Sequence, residues 1–168
     1  MTDDQRIHPG KTAEDRTSLV SFLDYQRATL AMKCSGLTHE QLKRRAIPTS
    51  GLTLLGLVRH AASVERCWFR LVMNAEDVTP PWPGEIDGTF VEFRVEDADA
   101  EEAFEVWREE CARARAVADS FNSLDEPVDF RGETISLRYV FTHMIEEYAR
   151  HNGHADLLRE AVDGVVGE

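Results

Sequence analysis

Residues 136–164, SLRYVFTHMIEEYARHNGHADLLREAVDG, decide how the chain is read. Ser136 is a good N-cap and Gly164 a good stop, so the stretch predicts one long helix reaching about Val162. At ~100° per residue, Glu147 lies about 40° round from His143, His151 about 80° and His154 about 20°. All four therefore project from one side. Val140, Met144, Tyr148, Ala155, Leu158 and Val162 place the buried sector at about 60° to 140° on the same wheel. Glu147 and His151 are thus expected to point at or into the core, with His143 and His154 at its border. A buried carboxylate is costly unless it is paired or bound to a metal. A Glu and a His one turn apart form half of a divalent-metal site. The plainer account makes the histidines packing residues and Glu147–His151 a solvent-facing i,i+4 pair.

Working outward, the chain reads as helical almost throughout, with no internal repeat. A first helix is expected from about Ala13 to Cys34, carrying Leu19, Phe22, Leu23 and Leu30 at helical spacing and stopped by Gly36. Thr38-His-Glu-Gln41 is a capping-box pattern opening a short helix to about Arg45. Thr53 can cap a second long helix reaching about Met73. Residues 74–95 hold Pro80, Pro81, Pro83, Gly84 and Gly88 and cannot be helical. A loop that long is often functional. Asp97 or Asp99 caps a third long helix to about Phe121, and Arg131-Gly132 suggests a small β-turn before the last helix. Four such helices can bury their apolar stripes only against one another, which predicts an all-α four-helix bundle with a long Pro-rich loop between helices two and three. Residues 13–163 are expected to form its single domain, with a flexible N-terminus at 1–12 and a C-terminal tail at 164–168.

The second long helix offers a further donor. Leu54, Leu57, Val58, Ala61, Val64, Trp68 and Leu71 define its predicted buried face, with His60 at the rim. Glu65 falls inside that face and needs a partner, for which Arg59, Arg150 and Arg138 are the candidates. His60 with Glu147 and His151 makes three ligands and leaves a fourth position free, the arrangement of a catalytic metal site. Two imidazoles and a carboxylate suit Zn²⁺, Ni²⁺, Fe²⁺ or Mn²⁺, among which ligand softness discriminates weakly.

Composition narrows the partners. Among 168 residues, 19 are Lys or Arg and 31 are Asp or Glu, a formal net charge of −12. Such a chain lacks the basic face a nucleic acid or an anionic membrane surface requires. No apolar run approaches the ~20 residues of a membrane span. Residues 1–10 lack the apolar core of a secretory signal, so the expected location is cytoplasmic. Cys34, Cys67 and Cys111 are far apart and odd in number, which suits buried hydrophobes rather than a disulfide framework. Most carboxylates are expected to form a solvated coat, heaviest between Asp97 and Glu110.

The run from His143 to Glu160, with Phe22-Leu-Asp-Tyr-Gln-Arg27 and the segment from Leu57 through His60 to Trp68, resembles the DinB-like superfamily of four-helix metalloproteins. It is similar above all to the actinobacterial branch that includes mycothiol-dependent enzymes such as maleylpyruvate isomerase. In that superfamily one metal ligand comes from the second helix and a pair spaced by four from the last. The matching positions are His60, Glu147 and His151, and the mycothiol branch is similar in using Glu at the middle one. The Arg-Gly-Gln run common after the last ligand is Asn152-Gly153-His154 here, which leaves open whether His154 supports the site from behind or joins it. The resemblance implies a divalent metal, zinc first, activating a low-molecular-weight thiol such as mycothiol against an electrophile, by S-transfer or thiol-assisted isomerisation. None of the three cysteines is then needed as nucleophile. Trp68 (otherwise a core residue), Trp82 as a lid residue, Arg150 as a carboxylate holder or Glu65 partner, and His143 complete the candidate pocket. A homodimer through an exposed helix face is compatible with a bundle of this size. Two alternatives stand beside the enzyme: a non-catalytic, stress-related metal-binding bundle, and a bundle whose histidines only pack.

Overall fold

The computed structural model describes residues 6–166. Helix α1 spans Asp15–Cys34, the short α2 His39–Lys43, α3 Leu54–Glu65, α4 Ala100–Ser120 and α5 Leu137–Asp163. The caps follow the sequence closely. Both halves of the Thr38–Gln41 capping box form, and Thr53, Asp99 and Ser136 accept from the backbone N–H groups of Gly56, Glu101 and Tyr139. Each satisfies a donor that the first helical turn would otherwise leave open.

The fold is mostly helical, and two small antiparallel hairpins add to the expected all-α bundle. Strands β1 (Glu85–Ile86) and β2 (Thr89–Phe90) lie inside the Pro-rich stretch, and β3 (Pro127–Phe130) pairs with β4 (Glu133–Ser136) ahead of α5. Both turn on two residues with positive φ, Asp87-Gly88 and Arg131-Gly132. That is the backbone geometry matching the right-handed twist of paired strands. Residues 74–95 are thus a structured crossover rather than an irregular loop.

Paired side chains fix the helix directions. Along α1 and α5, Asp15 meets Arg138, Gln26 meets Asn152 and Lys33 meets Asp156, so these helices run parallel. Across α5 from α3 and its continuation, His60 meets Glu147 while Trp68 packs at a tilt against His143, an antiparallel pairing. Arg59 donates to the carbonyl of Arg94 while Arg66 and Arg70 reach Glu110, so α4 follows the direction of α3. Two successive parallel helices require the chain to return along the bundle between them. The crossover therefore runs back beside α3, rather than only crossing the bundle end.

After Glu65 the second long helix continues as a π-helical segment, Arg66–Met73, closed by an i→i+5 bond from Asn74 N–H to the Phe69 carbonyl (3.1 Å). The buried face passes through Val58, Ala62, Glu65, Phe69 and Val72. This is one residue, about 100°, away from the predicted face through Val64, Trp68 and Leu71, all of which are only partly buried. The predicted face holds for Leu54, Leu57, Val58 and Ala61, all buried, and departs from the structure only around the π-helical segment, which begins next to a charged residue inside the face.

That residue is Glu65, fully buried, and its partner is none of the three arginines named from sequence. Arg27 of α1, 5% exposed, grips it with two charge-assisted bonds of 2.7 and 2.6 Å. Tyr148 O–H donates to the same carboxylate at 2.8 Å, and Trp107 N–H donates to Tyr148 at 2.8 Å. One side chain from each of the four long helices thus joins a single buried network. Burial works against the charge on Arg27, and Glu65 outweighs it, holding the guanidinium well above its ordinary value. Glu110 is a second correction. Placed from sequence in the solvated coat, it is 1% exposed and held by Arg66 and Arg70 of the π-helical segment.

Candidate metal centre

His60 faces α5 from the middle of α3, opposite Glu147 and His151, which lie one turn apart. Glu147 Oε1 is 3.0 Å from His60 Nε2 and 3.3 Å from His151 Nε2. One donor atom from each residue lies within 4.8 Å of the other two. The three side chains are 18–20% exposed, at the rim of the core rather than inside it. The inward positions of this part of α5 belong to Met144, Tyr148 and Asn152. Glu147 and His151 therefore lie further toward solvent than the wheel predicted, beside a small cleft of about 10 Å³ lined also by Leu30, Leu57 and Val64. A wider cleft of about 490 Å³ is bounded instead by α1, α2 and α4, around Ala31, Leu42 and Phe104, away from these donors.

The donor set fits a divalent ion. Ligands ~2.0 Å from a tetrahedral ion lie roughly 3.3 Å apart, close to the two spacings from Glu147 to the imidazoles. The protonation chemistry points the same way. A second carboxylate, Glu92, meets the other nitrogen of His60, with Nδ1 2.6 Å from Oε1. Ionised carboxylates only accept hydrogen bonds, so two of them around one imidazole call for positive charge there, either a proton or a metal ion. Burial disfavours that charge, yet bonds to Glu92 and Glu147 outweigh it and hold His60 above its ordinary value. His151 is pushed the other way by burial and then by the nearby charge of His60, which favours the neutral imidazole a metal needs. Burial also opposes ionisation of Glu147, but His60 and His151 more than offset it and lower its value.

The remaining candidate residues separate into distinct roles. His154 Nδ1 sits 3.4 Å from His151 Nδ1, on the far side of that ring from the donor cluster. It supports His151 from behind and is not among the three converging donors. His143 packs against Trp68, ring centroids 4.5 Å apart, and lies parallel to the Tyr139 ring at 6.1 Å. Trp68 is thus a rim residue of an aromatic row beside the site, not a core residue. Trp82 lies under the Arg59 guanidinium at 4.5 Å, tying the crossover to α3. Arg150 is exposed and bonds Glu146 at 2.6 Å, so it neither reaches Glu65 nor faces the donors. Sequence reasoning missed Glu92 and Phe93 because they lie in a Pro-rich stretch without helical periodicity. The only local signal was the alternation Val91-Glu92-Phe93.

The cysteines stand apart from this chemistry. Burial pushes the thiols of Cys34 and Cys111 up to about 12, with Glu65 adding to the effect at Cys111, and burial raises Cys67 as well. Native protein at pH 8 is therefore expected to react with iodoacetamide far more slowly than the urea-unfolded chain at all three positions, as mass spectrometry of the alkylated peptides will show. Rapid native labelling at Cys111 would contradict this.

Candidate nitrogen and oxygen donors converging from two helices of a mostly helical bundle fit the DinB-like class that the sequence resembles. Its characteristic feature is a ligand from the second long helix joined to an i,i+4 pair on the last. The chain belongs to the mycothiol-S-transferase family, whose model matches residues 18–164. That match covers both helices of the donor cluster and the crossover between them. No protein of curated function matches the chain. No helix among the described residues is long and apolar enough to cross a membrane.

Proposed function

We propose that this protein is a metal-dependent S-transferase that joins a low-molecular-weight thiol, mycothiol, to an electrophilic small molecule. The observation that carries the reading is the convergence of His60 Nε2, Glu147 Oε1 and His151 Nε2 beside a small cleft, with Glu92 and His154 meeting the two imidazoles from behind. Three donors and an open side are what a catalytic divalent site requires, whereas a structural zinc site is closed by four. Bound there, zinc would supply a Lewis acid that keeps a thiol in its thiolate form near neutral pH.

The chain's own residues supply the remaining parts. Glu147 and His151 hold their lone pairs toward the cleft. Leu30, Leu57 and Val64 give that cleft apolar walls against which water competes poorly. The raised thiols of Cys34, Cys67 and Cys111 suit them poorly as nucleophiles, in keeping with a sulfur supplied by the cosubstrate. In the reaction a carbon–sulfur bond forms, the bond from that carbon to its leaving group breaks, and the thiol proton passes to water. The aromatic row of Trp68, His143 and Tyr139 offers a wall for the electrophile.

The test is turnover of zinc-loaded protein with mycothiol, bacillithiol and glutathione in turn, against 1-chloro-2,4-dinitrobenzene and an aliphatic alkylating agent. Mycothiol is expected to give the highest kcat/KM. Stoichiometric metal without turnover with any of the three thiols would replace this reading with that of a non-catalytic metal-binding bundle.

A further inference from the structure

We propose that Glu92 is the positioning residue of His60: carried on the crossover, it fixes this imidazole with Nδ1 protonated and Nε2 free to bind the metal. The inference rests on the metal-centre reading above and adds to it a residue outside the donor set, on a different element.

The geometry is specific. Glu92 is only 9% exposed, and its one hydrogen-bond partner among the described residues is His60 Nδ1, at 2.6 Å. A carboxylate buried to that extent without an arginine or lysine bonded to it is unusual, since buried charge is costly unless compensated. The imidazole and what it binds provide the compensation. Glu92 is also held so that it cannot readily turn away. It sits in a short 3₁₀ turn, Val91–Phe93, whose following carbonyl, that of Arg94, accepts from Arg59. The Phe93 ring stacks on His60 at 5.2 Å. Gly56, one turn before His60, makes room for this turn: a Cβ there would lie 3.3 Å from the Phe93 ring and 3.6 Å from its Cα. A side chain at residue 56 would press the turn away from α3.

The chemical consequence follows from the two-sided nature of imidazole. When Nδ1–H donates to a carboxylate, the lone pair on Nε2 is the one available to a cation, and the ring is a stronger donor. A more electron-rich site also moderates the acidification of a bound thiol. This preserves its nucleophilicity, which declines as thiol pKa falls. The two histidines are not equivalent in this respect. His60 has a carboxylate behind it, whereas His151 has only the neighbouring His154.

The experiment compares wild-type, E92A and E92Q full-length proteins. Zinc affinity is measured by competition with a chromophoric chelator, and the His60 tautomer by ¹⁵N NMR of the metal-free and zinc-loaded forms. Melting of the metal-free proteins serves as the control for folding. E92A is expected to weaken zinc binding about 10- to 100-fold. In the zinc-loaded form it should also shift the His60 Nδ1–H resonance upfield, as the hydrogen bond to Glu92 is lost. E92Q, which keeps the shape and one acceptor but not the charge, should fall between and remains decisive if E92A does not fold. Zinc affinity within twofold of wild type in both variants, or zinc on His60 Nδ1 in the wild type, overturns the proposal. A residue that merely braced the crossover would lower the melting temperature without moving either readout. Absence of zinc binding by the wild type would instead overturn the metal-centre reading itself.

Discussion

His151→Ala protein is expected to fold, to purify without stoichiometric divalent metal and to lose at least about 10³-fold in thiol-conjugating kcat/KM. The size follows from the Lewis-acid contribution of a bound ion, several kcal/mol at about 1.4 kcal/mol per tenfold in rate. Only His60 and Glu147 would remain from the donor set, and two donors do not hold a divalent ion as three do. Folding should survive because His151 is at the rim and takes no part in the buried Arg27–Glu65 network. Elemental analysis, circular dichroism and turnover on one preparation check all three expectations. Glu147→Gln should behave similarly, since an amide oxygen is a far poorer ligand than a carboxylate. Full metal content with full activity in either variant would remove these residues from the centre.

Glu65→Ala should produce the largest loss of stability, about 3–5 kcal/mol, because it strands a buried guanidinium. For a chain of this size that corresponds to a fall in melting temperature on the order of 10 °C. The network's position explains the size of the effect. Arg27, Glu65, Trp107 and Tyr148 come from α1, α3, α4 and α5, so deleting Glu65 strands Arg27 and Tyr148 within a network that reaches every long helix. Tyr148→Phe, which removes a single hydroxyl from the network, should cost only about 1–3 kcal/mol. The double variant Arg27→Met/Glu65→Leu should recover most of the loss, since apolar replacement of both members of a buried pair is often neutral or better. Thermal and urea unfolding of the three proteins separates these outcomes. A double variant as unstable as Glu65→Ala would show that packing at these positions, rather than unpaired charge, sets the stability.

Much of the site was legible because it depends on local periodicity. Glu147 and His151 are one turn apart on a helix whose N-cap, Ser136, and end, Gly164, are plain in the sequence, and His60 falls at the rim of an apolar stripe. The partner of Glu65 was not legible. Arg27 lies 38 residues away on α1, and nothing in either helix selects it over Arg59, Arg138 or Arg150. Trp68 was misjudged because the π-helical segment and the buried Glu65 shift the core face by one residue, bringing Phe69 inward and leaving the tryptophan at the rim. Glu110 was misjudged for a related reason. It is one acidic residue within an acidic helix, and only the approach of Arg66 and Arg70 distinguishes it from its solvated neighbours.

By itself, then, the sequence determined the long helices, their caps and the residue types of the donor triad, because capping and amphipathic spacing act within a few residues of chain. Only the tertiary structure decided which charges are buried together and what the crossover carries to the metal centre. Parallel packing of α3 and α4 forces residues 74–99 back along α3, and that return places Glu92 behind His60. Such pairings arise from helix directions and close approach between distant segments, for which hydropathy and spacing along one segment contain no signal.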